Sequence, residues 1–410
     1  MSKIRIKNFG PIKEGVADNG WIDIKKVTVF IGNQGSGKST IAKLISTFTW
    51  IEKALVRGDY DITWFEQKDR FKNRFLKYHR LENYFENYGN DDAHIEYEGD
   101  AFRIVYKSRK LSITEKSIIS YPLPQIMYVP AERNFIAYVK TPKELKLSSE
   151  PLTEFLTEFD NAKNEMKGLV KLPINKTEVE YDQSADTLEL QGKGYRIKLA
   201  EASSGFQSLV PVYLVSSYLA NMIKKQTEDN KEPMSTDEIK RFKAGVAEVW
   251  NNADLTDEQR RIALSVLSAR FNKTAFVNIV EEPEQNLFPS SQKELLHGLL
   301  AFNRLNSGNK LIITTHSPYL INYLTLSVKA GELKNRIKDK GYLEELNSII
   351  PIESSLNIGE LIVYQMDEET GSVYLLETLN GLPSDDNELN ISLDESNELF
   401  AQLLEIQQRI

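Results

Sequence analysis

The chain has 410 residues, no cysteine and a formal net charge of -8. The length predicts two or three domains, and the acidic balance excludes a surface coated in basic residues for nucleic acid while leaving room for a local basic groove. Disulfides and thiolate metal sites are excluded, no apolar run approaches the ~18 residues of a membrane span, and the first nine residues lack a signal-peptide core. We therefore expect a cytoplasmic protein that reaches a membrane only through a partner.

The N-terminal part predicts strands that lead into a glycine-rich loop. Residues 4–9 alternate apolar and polar side chains before a Gly-Pro pair, which predicts an edge strand and a turn, and residues 21–26 predict a second strand. The apolar run 27–31 predicts a buried strand. It is followed by GNQGSGKST at residues 32–40 and then by an apolar helix, which is the P-loop pattern between the correct elements.

This loop has the chemistry of a nucleoside triphosphate site. Its glycines let backbone N–H groups approach phosphate oxygens, and the helix that follows adds further N–H groups and the positive end of its dipole. Lys38 can reach the β- and γ-phosphates, Ser39 can bind Mg²⁺, and Thr40 can contact the α-phosphate. We expect ATP and Mg²⁺ to be bound with the help of Gly32, Asn33, Gln34, Gly35, Ser36, Gly37, Lys38, Ser39 and Thr40.

Residues 56–125 predict an inserted helical and β segment. Within it, residues 68–80 interleave basic side chains with aromatic ones, which is typical either of a surface that binds single-stranded nucleic acid or of an amphipathic helix. The helical spacing of the aromatic residues favours the second interpretation. His79 and His94 have no ligand partners at a recognisable spacing, so we expect ordinary packing or surface residues. Residues 94–106 predict a hairpin.

Two motifs follow in the middle of the chain. The apolar strand 126–129 runs into Glu132 and Arg133, which indicates either the ligand edge of a sheet or a solvated salt bridge. After two or three short strands in residues 179–199, a helix is expected to begin with two serines and a glycine, whose free hydroxyl and N–H groups suit an anion or a simple N-cap. These three residues are Ser203, Ser204 and Gly205.

Two more apolar strands end in chemically active side chains. Residues 275–280 precede Glu281 and Glu282, and carboxylates at such a strand end are costly unless a metal or a reaction requires them. One can hold Mg²⁺ while the other orients the attacking water. Residues 310–315 precede His316. Three parallel strands would thus bring the P-loop lysine, Glu282 and His316 to one edge of a sheet.

The remaining segments complete the predicted organisation. Residues 221–270 predict a helical insertion, and residues 326–410 predict C-terminal strands with a closing helix. That helix is expected to begin at a capping box formed by Ser392 and Glu395.

Together, the P-loop, Ser-Ser-Gly-Phe-Gln, Glu-Glu-Pro-Glu and Thr-Thr-His-Ser-Pro resemble the ABC-type ATPases. More narrowly they resemble the soluble branch with SMC, RecF and the OLD-like AAA family ATPases of bacterial anti-phage defence, and the opening Ile-Arg-Ile-Lys-Asn-Phe-Gly-Pro-Ile favours the OLD-like group. The resemblance covers residues 1 to about 325. It implies an α/β fold, with a P-loop parallel sheet core, an antiparallel β lobe and helical insertions in a single composite ABC-type ATPase domain over residues 1–410.

The resemblance also implies residue roles and an ATP-sandwiched homodimer. Lys38, Glu282 and His316 would act in hydrolysis, as phosphate ligand, catalytic base and switch histidine, while Ser39 and Glu281 would bind the metal. The signature residues 203–205 would complete the site of the opposite subunit, residues 285–287 would form the D-loop, and residues 4–9 would lie near the adenine. The Q-loop is not assigned: Gln125 precedes its strand, so Glu132 or Arg133 could stand in.

The resemblance leaves several functions open. The first is an ATPase sensor or scaffold of anti-phage defence that controls a separate nuclease or toxin, since no Toprim carboxylate cluster follows His316. The second is a RecF- or SMC-like ATPase of DNA repair or chromosome maintenance that binds DNA. A transporter energy subunit is disfavoured by the long insertions between motifs, and a nucleotide-locked structural module without turnover is the fourth alternative.

Overall fold

The computed structural model describes residues 2–16, 19–85, 92–117, 120–138, 147, 149–229, 234–235, 244–250, 252, 255–256, 259 and 274–408. The strands are β1 Lys3–Lys7, β2 Trp21–Asp23, β3 Val27–Gly32, β4 His94–Glu98, β5 Phe102–Lys107, β6 Lys110–Glu115, β7 Ser120–Tyr121, β8 Pro124–Val129, β9 Val170–Lys171, β10 Glu178–Asp182, β11 Thr187–Gly192, β12 Tyr195–Lys198, β13 Met234–Ser235, β14 Ala275–Glu281, β15 Lys310–Thr314, β16 Leu361–Met366, β17 Val373–Leu375, β18 Thr378–Leu379 and β19 Leu382–Pro383.

Helices lie between and after these strands. The α-helices include α1 Lys38–Arg57, α2 Ile62–Phe65, α3 Phe135–Tyr138, α4 Glu150–Asn164, α5 Ser204–Asp229, α6 Pro289–Arg304, α7 Pro318–Arg336, α8 Lys340–Ile349 and α9 Glu388–Gln408. A π-helix spans Phe71–Leu76, and 3-10 turns span Ala131–Asn134, Leu199–Glu201 and Ile352–Ser354.

The central element is a six-stranded sheet in the order β17-β16-β3-β15-β14-β8. Its five strands from β16 to β8 are mutually parallel, and β17 pairs antiparallel with β16. Every residue of β3, β8 and β14 is buried, as expected for strands that are covered on both faces. Because parallel strands end at one edge, the P-loop after β3 lies beside the chain that leaves β14 and β15.

Two hydrophobic cores cover the two faces of this sheet. Phe30 of β3 packs on the side of α1, where the antiparallel sheet β2-β1-β4-β5-β6 closes the core. Val29 and Ile31 point to the opposite face, which packs with α4, α5, α6 and α7. This alternation follows from the two-residue period of a strand, and each fully buried aliphatic side chain contributes roughly 1.5–3 kcal/mol.

The structure confirms the predicted fold class, an α/β core of parallel strands with an antiparallel β lobe and helical segments. The third sheet, β12-β11-β10-β9, contains the short strands predicted in residues 179–199. Of the predicted insertion at residues 221–270, the first nine residues continue α5 and residues 244–250 are helical, while much of the remainder lies outside the described residues. No described helix has the length and apolar character needed to cross a bilayer.

Two sequence predictions are wrong. The strand in residues 4–9 is not at an edge, because β1 lies between β2 and β4 and pairs with both. The closing helix does not begin at Ser392, because α9 starts at Glu388, and Asn387 accepts a hydrogen bond from the Asn390 N–H (3.2 Å) and so caps it earlier.

Candidate nucleotide site

The P-loop is a tight turn between β3 and α1 that glycine makes feasible. Gly32 has a φ of 137°, and a Cβ there would lie 2.2 Å from the Met366 carbonyl oxygen of β16. Gly37 caps α1 with a φ of 102° in the left-handed region. Side-chain-bearing residues rarely adopt such angles, so these glycines allow the backbone to form a phosphate cradle.

Lys38 folds back over this loop. Its Nζ donates to the carbonyl oxygens of Gly32 (2.8 Å) and Asn33 (2.7 Å). Burial lowers the pKa of Lys38 to about 8, and Glu282 is the first of several carboxylates that oppose the shift. Ser39 is half-buried in the first turn of α1. The predicted cation and hydroxyl therefore lie together at the start of the helix.

Glu281 and Glu282 lie where β14 ends. This strand pairs with β15, which in turn pairs with the P-loop strand β3. Glu281 is buried; its Oε2 accepts a hydrogen bond from the Ala131 N–H (3.3 Å), and its Oε1 has no hydrogen-bond partner among the described residues. Glu282 is half-exposed, with a φ of 43°, and its N–H donates to the Thr314 carbonyl oxygen (2.9 Å). One carboxylate is thus enclosed and the next is directed into the open site.

His316 contacts the second of these carboxylates. Its Nε2 lies 3.5 Å from the Glu282 Oε1. The hydrogen bond from His316 is the main cause that lowers the pKa of Glu282, with further contributions from Lys38 and Arg133. Glu282 is therefore ionised at neutral pH, as a group that orients water and accepts a proton must be. The structure brings Lys38, Glu282 and His316 to one edge, as the sequence predicted.

Glu284 is a site residue that the sequence analysis missed. Its Oε1 accepts hydrogen bonds from the Thr315 hydroxyl (2.8 Å) and the His316 N–H (2.7 Å). Desolvation raises the pKa of Glu284, although these two hydrogen bonds oppose the shift. Glu284 thus fixes the backbone that carries His316. The sequence feature that could have indicated this role is the third glutamate of Glu-Glu-Pro-Glu, which is Glu284 itself.

Arg133 makes contacts that the sequence analysis did not predict. Its side chain is 0% exposed, and its guanidinium donates to the carbonyl oxygens of Glu281 (2.7 Å) and Glu282 (2.7 Å). Of the three sequence interpretations, the ligand edge of a sheet, a solvated salt bridge and the Q-loop, the structure contradicts the solvated salt bridge, because the Arg133 side chain is buried. It is a buried cation that holds the acidic loop.

The C-terminal part also reaches the P-loop. The Asn33 Nδ2 donates to the Glu368 Oε1 (2.7 Å) in the turn between β16 and β17. Glu388, at the start of α9, is close enough to oppose the lowering of the Lys38 pKa. Residues 326–410, in which the sequence analysis found no site motif, therefore contribute strands β16 and β17 to the central sheet and two carboxylates to the surroundings of the P-loop.

The Ser-Ser-Gly motif forms a separate surface with the predicted D-loop. Ser203 and Ser204 are exposed where α5 begins, and a Cβ on Gly205 would lie 2.9 Å from the Asn286 carbonyl oxygen. The Asn286 Nδ2 donates to the Ser208 hydroxyl (3.0 Å). The start of α5 thus packs against the loop after Glu282 through Gly205 and Ser208, and both serines of the motif are exposed.

The side chains beside the P-loop fit ATP together with Mg²⁺. Within the described ranges no set of three or more His, Cys, Asp or Glu side chains could hold a metal alone. Mg²⁺ is usually held by one or two protein oxygens together with substrate phosphates. The Glu281 carboxylate and the Ser39 hydroxyl are oxygen ligands of the kind that Mg²⁺ prefers, so the ion would bind together with the nucleotide.

A protein-family model of the AAA ATPase domain matches residues 258–321, a range that contains the acidic loop and His316. The match and the P-loop geometry support a P-loop ATPase. A comparison with curated proteins gave no match.

Solved structures with a similar fold include the SMC head domain from Thermotoga maritima, with 11% identity, a TM-score of 0.38, and coverage of 92% of this chain and 98% of that one. An Smc head domain with an extended coiled coil, bound to the C-terminal domain of ScpA and derived from Pyrococcus furiosus, has 11% identity and a TM-score of 0.37, covering 98% and 100%. A dimeric ATP-binding cassette in a post-hydrolysis state with ADP and Pi has 10% identity and a TM-score of 0.26, covering 91% and 96%. At these scores, the assignment of the site depends on its own contacts.

Proposed function

We propose that the protein is an Mg²⁺-dependent ATPase that hydrolyses ATP to ADP and phosphate. The observation that carries this proposal is the contact between His316 and Glu282 at the sheet edge that also carries Lys38. Lys38 exchanges its two carbonyl contacts for the β- and γ-phosphates. Glu282 orients the attacking water and accepts its proton, while His316 holds the carboxylate and faces the γ-phosphate. Mg²⁺, held by Ser39 and Glu281, would neutralise charge on the phosphates.

Two substitutions test this chemistry. Lys38→Ala is expected to abolish nucleotide binding, since it removes the only P-loop cation, and Glu282→Gln is expected to retain binding while hydrolysis stops. Binding is measured with a fluorescent ATP analogue and turnover by phosphate release. Glu345→Gln, an exposed change on α8, is the matched control and should behave like the wild type. Wild-type turnover by the Glu282→Gln protein would refute the catalytic role.

We further propose that ATP closes a homodimer in which residues 203–205 of one protomer complete the site of its partner. The exposure of both serines and the close approach of Gly205 to Asn286 of the predicted D-loop support this arrangement. Ser203→Arg places a bulky cation on that surface, so it should prevent ATP-dependent dimerisation of the Glu282→Gln protein in sedimentation experiments. Unchanged dimerisation would refute the role of the signature residues.

The wider function that we propose is regulation of a separate effector, a nuclease or a toxin, in anti-phage defence. The motif resemblance supports this context, and closing or opening of the dimer would report the nucleotide state to the effector. The Glu282→Gln protein, tagged and trapped with Mg-ATP in its host, should co-purify with the effector, and Lys38→Ala should abolish protection against phage. A multi-spanning permease in the same purification would indicate a transporter energy subunit instead.

A second candidate is a RecF- or SMC-like ATPase that acts on DNA. A surface concavity of about 310 Å³ is lined by three basic side chains, one amide and one carboxylate: Lys68, Arg70, Arg74, Asn73 and Asp69. The Arg70 guanidinium lies 4.1 Å from the centroid of the Trp64 ring. Such a patch suits phosphates and stacked bases. Binding of DNA that weakens with salt and is lost in an Arg74→Glu protein would favour this function, whereas equal binding by both proteins would contradict it.

A further inference from the structure

A small cavity lies behind Glu281, where β8 and β14 end. It has a volume of about 30 Å³ and is lined in part by Lys43, Tyr78, His79, Tyr128 and Glu281. Lys43 belongs to α1, one turn after Ser39, whereas the histidine follows the π-helix of the inserted segment. The cavity thus joins the P-loop helix, the insertion and the acidic strand.

Three buried polar atoms of these residues lack partners. The His79 Nδ1, the Tyr128 hydroxyl and the Glu281 Oε1 make no hydrogen bond within the described part of the protein. All three side chains are buried, and the rings of His79 and Tyr128 meet edge to face with centroids 4.9 Å apart. Buried polar groups are nearly always hydrogen-bonded, so three together in one cavity require an occupant.

The hydrogen-bonding chemistry of these groups suits water. Burial, followed by the nearby Lys43, lowers the pKa of His79 to about 3, so its imidazole is neutral. A tyrosine hydroxyl can donate or accept a hydrogen bond and a carboxylate accepts, so one water can bond to all three kinds of group. A cavity needs roughly 10–15 Å³ to hold one water, and two to four polar partners around it. The volume is sufficient for one water, and the side chains that carry the three atoms line the cavity.

We propose that ordered water fills this cavity and connects His79 and Tyr128 to the carboxylate of Glu281. The two residues are then positioning residues for the metal-binding carboxylate, and the inserted segment reaches the metal site through His79. The Tyr78 hydroxyl donates to Glu154 of α4, which anchors the same stretch from the other side. This inference rests on the proposed function, because it assigns Glu281 to the metal.

The first test is a crystal structure of the full-length wild-type protein without nucleotide, at a resolution that shows ordered water. We expect density within hydrogen-bond distance of the His79 Nδ1, the Tyr128 hydroxyl and the Glu281 carboxylate. A dry cavity would overturn the inference whatever the protein hydrolyses.

The second test measures Mn²⁺ affinity in the presence of ADP by electron paramagnetic resonance. Tyr128→Phe removes a single oxygen and His79→Phe keeps a ring, so both variants preserve the packing. Loss of groups that orient a metal ligand typically weakens metal binding 10- to 100-fold, and we expect the Kd of Mn²⁺ to rise by about 10-fold in each variant. The affinity for ADP without metal should stay at the wild-type value.

The matched control is His297→Phe. His297 is also buried, and neither of its ring nitrogens has a partner among the described residues, but it lies on α6 and does not line this cavity. Its Mn²⁺ affinity should equal that of the wild type. If wild-type protein binds Mn²⁺ with ADP and both cavity variants bind it equally well, the inference fails and the proposed function stands. If wild-type protein binds no Mn²⁺ with ADP and releases no phosphate from ATP, the proposed function fails, and the inference that rests on it fails too.

Discussion

The buried Arg133 guanidinium donates to the backbone of the acidic loop, residues 281–284. Its replacement should therefore lower both the stability of the protein and its catalytic rate. Arg133→Met keeps much of the side-chain volume but removes the donors to the Glu281 and Glu282 carbonyl oxygens, both at 2.7 Å. Hydrogen bonds that involve a charged group contribute about 1.5–3 kcal/mol each, and these carbonyls would be left buried. We therefore expect the free energy of unfolding to fall by about 4 kcal/mol.

The assay is equilibrium unfolding in urea, followed by circular dichroism, together with ATPase activity of the folded protein. The matched control is Arg196→Met. The Arg196 side chain is 56% exposed and pairs with Glu189 on the third sheet. That control should leave both the unfolding midpoint and the turnover rate unchanged. A wild-type midpoint for Arg133→Met, or wild-type turnover by that protein, would refute the role assigned to the buried guanidinium.

Three further predictions concern the site. His316→Ala removes the main cause of the lowered pKa of Glu282, so the acid limb of the pH–rate profile should move to higher pH; an unmoved limb would contradict the contact. Lys38 must be protonated to bind phosphates and has a pKa of about 8. ATP should therefore bind about tenfold more weakly at pH 9 than at pH 7 in titration calorimetry. Equal affinities at the two pH values would contradict this role of Lys38. Gly32→Ala should lower the melting temperature more than Gly194→Ala, because both have positive φ but only Gly32 faces a carbonyl oxygen; equal losses would remove the close approach as the cause.

The elements around the site could be predicted because their physics is local. A glycine-rich loop between a buried strand and a helix specifies its own geometry, and the apolar strands before Glu281 and His316 specify where those side chains leave the sheet. Parallel strands share one edge, so the motifs predicted that Lys38, Glu282 and His316 would leave the sheet on the same side. That β15 lies between β3 and β14, which brings the three side chains close together, is shown by the structure.

The rest depends on contacts between residues far apart in the chain. The pairing of β16 with β3 brings Met366 beside Gly32, and no periodicity in the tail indicates which strand it will join. No local sequence pattern predicts the backbone contacts of Arg133 and Glu284, because these contacts form only when β8, β14 and β15 are adjacent. The edge position predicted for β1 failed for the same reason, since β4 lies beyond the P-loop helix.

The most direct test of the central claim is a mixing experiment with two inactive proteins. Lys38→Ala removes the phosphate ligand of one protomer, and Ser203→Arg blocks the signature surface of the other. Each protein alone should lack ATPase activity, but a mixed dimer contains one intact site, formed by the P-loop of one protomer and the signature residues of its partner. We expect phosphate release to reappear on mixing. A mixture no more active than its components would contradict an ATPase whose sites are shared between two protomers.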